Sequence, residues 1–381
     1  MIEDYLPFSP PKISEKGISD VRSAIESGWL GTGPLTAEFE ERFALYKRSE
    51  HGAAVSSCTS GLFLSMKALG IGPGDEVITT NMTFVSTVNS ILHCGATPVL
   101  VDIDSHSGNI SIDEIEGAIS DRTRAILPVH YAGYPVDMES VMSIARKHNL
   151  FVIEDCAHAI ETMSNGKPAG TFGDLSVFSF YATKNIAVGE GGMVIGHKAE
   201  LVEKVSTLAL HGLSRGAWKR FSAAGKRTYD VVEIGYKANF TDLQAAIGLS
   251  QLDDLAENTQ RRREIWEHYS SELANLPCEL PNLPSQPDDI HALHLYAVRL
   301  PRSVSRDSLV ERLSEKHGVA FGVHYKAVSQ FAIYRKYSER KENSLKVSED
   351  WGSRCMSLSL SPGMTDRHVE RVVQALKEEL G

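Results

Sequence analysis

The chain has 381 residues, enough for one large domain and a smaller one. Hydrophobic content of 42 % and charged content of 23 % are ordinary for a globular protein, and a net charge of −10 argues against nucleic acid or an anionic membrane as a main partner. Five scattered cysteines without CxxC spacing argue against a disulfide framework or zinc. The acidic N-terminus without an apolar core, and the lack of any apolar run near ~18 residues, lead to the expectation of a cytoplasmic protein with no secretory signal or membrane span.

From about residue 50 to 200, short apolar runs alternate with amphipathic ones. Residues 53–56 are the first predicted strand and 62–69 the first predicted helix. Between them lies Ser57-Cys58-Thr59-Ser60-Gly61. Free backbone N–H groups at a helix start, with Thr59 and Ser60 as hydroxyl donors, make a phosphate site; taken alone, the same residues are an ordinary N-cap. Gly70-Ile71-Gly72-Pro73-Gly74 resembles a nucleotide loop, but it contains proline and precedes a strand, so it is a turn. A strand at 76–80 leads to Phe84, either plain core or a partner for a planar ring.

Strands at 97–101 and 125–129 flank a helix at 112–119, and His130-Tyr131 follows. Val141, Ile144, Ala145 and His148 give a helix over 138–148. The strand at 150–154 ends on Asp155. A carboxylate at that depth needs a cationic partner. His158 is a core histidine, a support for Asp155 or a contact to a bound ring, with support the favoured reading.

The strand at 175–180 carries Ser179, which either donates to a phosphate or simply alternates outward. Lys184 follows, then Gly189-Glu190-Gly191-Gly192 and a strand at 193–195. A lysine in a small-residue connection between two apolar strands is partly desolvated, so its pKa falls and it becomes nucleophilic. A carboxylate at one strand tip and a lysine at the next form a pair with a specific use: the lysine forms a Schiff base with pyridoxal phosphate, and the aspartate holds the ring nitrogen protonated.

Strands alternating with helices predict an α/β domain, a mostly parallel sheet with helices on both faces, whose ligands bind beyond the carboxyl ends of the strands. A helix at 243–255, the arginine-rich stretch Arg261-Arg262-Arg263 and a Pro-rich segment at 277–287 precede the next strand, 294–300. The domains are expected to be 1–250, binding the cofactor, and 251–381, a smaller α+β unit. His291 and His294 have no Cys cluster nearby, so no metal is expected.

Taken together, these motifs resemble the DegT/DnrJ/EryC1/StrS family of sugar aminotransferases of fold type I. The resemblance runs nearly end to end, through Leu6-Pro7-Phe8-Ser9, Thr32-Gly33-Pro34, Pro128-Val129-His130-Tyr131-Ala132-Gly133, Ile153-Glu154-Asp155-Cys156-Ala157-His158 and Gly235-Tyr236-Lys237-Ala238-Asn239-Phe240-Thr241-Asp242. It implies a homodimeric enzyme that uses pyridoxal 5'-phosphate and L-glutamate to aminate a nucleotide-linked keto sugar. A UDP-linked 4-keto sugar is the leading expectation; a 3-aminotransferase on a dTDP- or GDP-linked sugar and a non-catalytic regulatory protein are the alternatives. By the same resemblance Lys184 carries the Schiff base, Asp155 pairs with the ring nitrogen and Phe84 stacks on the ring beside His158. Thr59, Ser60 and Ser179 hold the phosphate with Asn239 of the other subunit. Tyr181 and His324 lie at the sugar nucleotide; Tyr181 stands where relatives that make 4-amino-4-deoxyarabinose carry histidine.

Overall fold

The computed structural model describes residues 5–214, 229–338 and 345–381. Its centre is a seven-stranded sheet in the order β1-β9-β8-β5-β4-β2-β3. The strands are β1 His51–Val55, β2 Glu76–Thr80, β3 Thr97–Val101, β4 Thr123–Leu127, β5 Phe151–Asp155, β8 Leu175–Ser179 and β9 Gly192–Gly196; the small hairpin of β6 Met163–Ser164 and β7 Lys167–Pro168 lies apart. Pairing from β3 through β8 is parallel, and β9 alone runs against its neighbours β8 and β1.

Every residue of β2, β8 and β9 is buried. Strands so enclosed read as continuous apolar runs, because helices cover both faces. Successive side chains show it. Val177 packs into a core with α3 Cys58–Ala68 and α7 Ala199–Ala209, while its neighbour Phe178 packs into another with α2 Pro34–Tyr46 and α8 Asp242–Asp253. Further along the sheet, Ile78 and Ile126 meet α5 Ile112–Ala118 and α6 Met138–His148.

The predicted strands agree with these to within two residues at each end. The first predicted helix begins four residues earlier, at Cys58, because Ser57 caps it by accepting from Ser60 N–H, upstream of the first apolar position.

A second core lies around β10 Tyr296–Arg299 and β11 Cys355–Leu358, an antiparallel pair whose second strand the apolar pattern did not announce. The arginine-rich helix α9 Leu255–Glu272 sends Ile265, Trp266 and Tyr269 into it, with α10 Arg306–His317 and α12 Asp366–Leu380 adding Leu309, Leu313, Val372 and Leu376. Leu6 joins this core from the other end of the chain, through backbone bonds to Gly318 and Ala320.

Candidate active site

Because β1, β2, β4, β5 and β8 point the same way, the loops that leave them meet at one edge of the sheet. There they enclose a cavity of about 490 Å³. After β1 the chain turns into α3, whose first N–H groups have no partner within the helix and open on this space. Gly192 of β9 makes the approach feasible: a Cβ there would lie 2.7 Å from the backbone nitrogen of Cys58. Ser57, Cys58 and Thr59 all line the cavity.

Asp155 forms the floor. It is 3 % exposed, and its carboxylate accepts from Thr87 Oγ1 at 2.9 Å and Ala157 N–H at 3.1 Å, with Cys58 Sγ at 3.9 Å. Burial raises its pKa, and the donors from Ala157 and Thr87 and the charge of Lys184 only partly offset this. Among the described residues it has no ion-pair partner. A buried, hydrogen-bonded carboxylate facing a cavity is completed by a cation.

Lys184 lies on the loop between β8 and β9. Burial lowers its pKa to about 8, with Cys58 and Asp155 pulling the other way. Its ammonium has no ion pair among the described residues, so the amine is held in reserve next to the carboxylate. Ser179, the last residue of β8, is buried and lines the same cavity, which removes the outward alternative. Phe84 is 55 % exposed at the head of α4 Val85–His93, which removes the plain-core alternative. Tyr181 and His324 complete the lining, with His324 stacked on Phe8 and its Nδ1 at 2.9 Å from Ser357 Oγ.

Two expected contributors stand elsewhere in the chain. Ser60 Oγ turns to the hydroxyls of Ser57 and Ser56, at 2.9 and 3.1 Å, and does not line the cavity. Asn239 donates to Thr32 Oγ1 at 2.7 Å and lines a separate depression of about 680 Å³ between α2, β1 and α7. That larger space carries Glu40, Glu41, Glu50 and Glu203 and no lysine, so it offers no nucleophile.

The favoured reading of His158 needs correction. It makes no hydrogen bond to Asp155. Its Nδ1 accepts from Ala132 N–H at 3.2 Å, and its Nε2 lies 2.9 Å from Tyr325 Oη. Burial, with the charges of Lys184 and His324, holds it well below the ordinary imidazole pKa. Support for Asp155 comes instead from Thr87, on α4. Thr87 and Tyr325 were both missed: neither stands in a motif whose spacing points to the carboxylate or the histidine.

Behind the sheet edge, Glu154, His130 and Cys156 place potential metal-ligand atoms within 4.8 Å of one another. Glu154, however, accepts from the N–H groups of Gly170, Phe172 and Gly173, each at 2.8 Å, and from Ser176 Oγ and His130 Nε2. Burial pushes its pKa up, but these bonds outweigh it and leave the carboxyl below the ordinary range. A carboxylate so filled by donors is a clamp on the loop at 170–173.

The residues fit a phosphorylated aldehyde cofactor: anion-binding N–H groups at one end of the cavity, an uncompensated carboxylate at its floor, an exposed aromatic ring, and a low-pKa amine. An α/β fold with a lysine and an aspartate on adjacent strand ends defines a class, the fold type I transferases. The chain belongs to the DegT/DnrJ/EryC1/StrS aminotransferase family, whose pattern matches residues 11–377. It is similar to SpsC, a spore coat polysaccharide biosynthesis protein of Bacillus subtilis, 42 % identical over 377 residues, covering 98 % of this chain and 97 % of that protein. Among solved structures it resembles the aminotransferase TlmJ from Streptoalloteichus hindustanus, with a TM-score of 0.89, 33 % identity and 99 % of each chain covered. Spr1654 from Streptococcus pneumoniae, provisionally a sugar aminotransferase, matches in its PLP form with a TM-score of 0.89 and 30 % identity, over 99 % of this chain and 100 % of that one; a PMP form is also similar.

Proposed function

We propose that this protein is a sugar aminotransferase that uses pyridoxal phosphate to move an amino group from L-glutamate onto a nucleotide-linked keto sugar, with a UDP-linked 4-keto sugar as the substrate. The observation that carries the reading is the presence, in one cavity, of a low-pKa lysine, Lys184, and a buried carboxylate without an ion pair, Asp155. The PLP and PMP forms of Spr1654 support the cofactor, and the likeness to SpsC supports a place in polysaccharide synthesis. The site works in the cytoplasm.

The cofactor supplies a carbonyl that takes up the amino group and a ring that accepts electrons. The chain's own residues do the rest. Lys184 would hold the cofactor through its unprotonated amine, and its Nζ would hold and move a proton at the substrate's reacting carbon, general acid–base work of roughly 10²–10⁴-fold. Asp155 would keep the ring nitrogen's proton in place, and the bonds from Thr87 and Ala157 N–H favour its ionised form against burial. Thr59 and Ser179 hold the phosphate with the first N–H groups of α3, while Ser60, its hydroxyl turned to Ser57 and Ser56, steadies that turn. Phe84 and His158 bound the ring, while Tyr181 and His324 meet the sugar nucleotide.

A homodimer completes two such sites. Each Asn239 lies outside its own chain's cavity and reaches the phosphate held by the partner subunit. The domains of each subunit divide at 250/251.

Half-reaction spectroscopy tests the function. Mixed with L-glutamate, the yellow protein should convert to its amine-loaded, colourless form. A panel of UDP-, dTDP- and GDP-linked keto sugars should then restore the colour, fastest with the true substrate. A protein that holds PLP and never changes colour with any amino donor is a sensor, and the enzymatic reading fails.

A further inference from the structure

Two contacts fix the protonation of a histidine–tyrosine pair at the cavity wall. A backbone N–H can only donate, so the 3.2 Å contact from Ala132 N–H leaves His158 Nδ1 without a proton. A neutral ring then carries its proton on Nε2, 2.9 Å from Tyr325 Oη. The phenol oxygen is the acceptor in this bond, and its own proton has to go elsewhere. Among the described residues no other side chain or carbonyl bonds this hydroxyl.

The ring that carries it is held in place. Tyr325 stacks on His158 with centroids 5.9 Å apart and planes 21° apart, and lies 5.7 Å from Phe84. Its carbonyl accepts from Cys355 Sγ at 3.4 Å, and Tyr131 Oη donates to the preceding carbonyl, that of His324. A phenolic O–H stays near the ring plane, so it has two orientations. One faces His158, which already donates; the other faces away from it. Tyr325 lines the cavity together with Lys184 and Asp155.

We propose that Tyr325 donates a hydrogen bond to an oxygen of the molecule that fills this cavity, and that His158 is the positioning residue that turns the tyrosyl proton there. Two sources offer such an oxygen: the cofactor's phenolate, and a carboxylate or sugar oxygen of the substrates. The inference rests on the cofactor reading above.

The test uses full-length, PLP-loaded Tyr325→Phe, which keeps the ring and removes only the hydroxyl. If the acceptor is the phenolate, loss of a donor leaves that oxygen more basic, and the pH titration of the bound cofactor's absorbance, without substrate, moves up by about one pH unit. If the acceptor belongs to a substrate, that titration stays at the parent value and KM for L-glutamate or the sugar rises about tenfold. His158→Leu removes the donor that turns the tyrosyl proton and should move the same quantity in the same direction as Tyr325→Phe; a His158→Leu protein with both quantities at the parent value overturns the positioning role. A purely structural tyrosine would lower the melting temperature and leave titration and KM unchanged, which overturns the proposal. A crystal structure of the PLP-loaded, substrate-soaked parent checks it without a variant: an oxygen of a bound molecule should lie within about 3.2 Å of Tyr325 Oη, and none there also overturns it. Failure to take up PLP at all would instead bring down the cofactor reading beneath it.

Discussion

Thr87 Oγ1 donates to Asp155 Oδ2 at 2.9 Å, and the hydroxyls of Thr83 and Thr87 lie 2.7 Å apart behind that bond. Since the Thr87 proton is committed to Asp155, the Thr83 proton points to Thr87. Two hydroxyls in series thus support a buried carboxylate that burial would otherwise neutralise. Thr87→Val keeps the shape and removes the donor, so the Asp155 pKa rises further and its hold on the ring proton weakens. The expected result is a loss of about tenfold in kcat, with a pH profile whose acidic limb moves to higher pH. A profile that overlays the parent would show that the hydroxyl chain does no electrostatic work.

Asp155→Asn should separate activity from stability. An amide cannot balance a cationic ring, and the loss of a charge-assisted bond predicts a fall in turnover of at least about tenfold to a hundredfold. Stability of the cofactor-free protein should hold or rise. The folded-state pKa of Asp155 is raised, so its favourable protonated contribution is present at low pH and is lost as pH rises through that value. At neutral pH its ionised form is a cost that asparagine lacks. Thermal melts of cofactor-free protein beside single-turnover rates make the comparison; a variant that melts far below the parent while turning over normally would reverse both assignments.

Lys184→Ala removes the nucleophile. The purified variant should lack the visible-wavelength absorbance of lysine-bound cofactor and lose turnover by at least about 10²-fold, the lower end of what a positioned acid–base group supplies. Transamination at the parental rate would move the chemistry to another residue.

The pKa of about 8 at Lys184 sets a pH dependence for cofactor capture. Only the neutral amine attacks, so the capture rate should fall about tenfold for each pH unit below that value and level off above it. The same depression means that burying the charged lysine costs stability below about pH 8, a cost relieved as pH climbs toward the ordinary lysine value of 10.5. Stopped-flow mixing of PLP with cofactor-free protein between pH 6 and 9 measures the rate; a flat profile would place the titration elsewhere.

Asn239 offers a test of assembly. Within one chain it bonds Thr32 and stands apart from the cavity. Mixing Lys184→Ala with Asn239→Asp subunits produces heterodimers with one doubly damaged site and one intact site if the residue acts across the interface, so part of the activity should return. Verified heterodimers with no recovery would leave Asn239 serving its own subunit or no site.

The apolar runs, the carboxylate closing one of them and the lysine between two others are local patterns, so they were readable along the chain. A strand buried on both faces must be apolar throughout, and a polar residue at its end must meet the ligand edge of a parallel sheet. From these alone came the α/β fold, the cavity's position and the pairing of Asp155 with Lys184. The end-to-end motif resemblance added the family, and Ser57-Cys58-Thr59-Ser60-Gly61 added the expectation of an anion site at the start of α3.

Tertiary structure decided the partners. Thr87 reaches Asp155 across 68 positions, and Tyr325 reaches His158 across 167. Such contacts are set by how separate helices and loops pack on the sheet, and each side chain has an ordinary neighbourhood in its own segment, so no periodicity marks it. That is why His158 bonds Tyr325 and not Asp155, why Ser60 turns to the hydroxyls of Ser56 and Ser57, and why β11, a short strand without its own apolar alternation, shows itself only in its pairing with β10. Sequence determined which groups carry the chemistry, because residue type and strand position are local; only the folded packing determined which groups tune them, because hydrogen-bond direction is a property of three-dimensional neighbours.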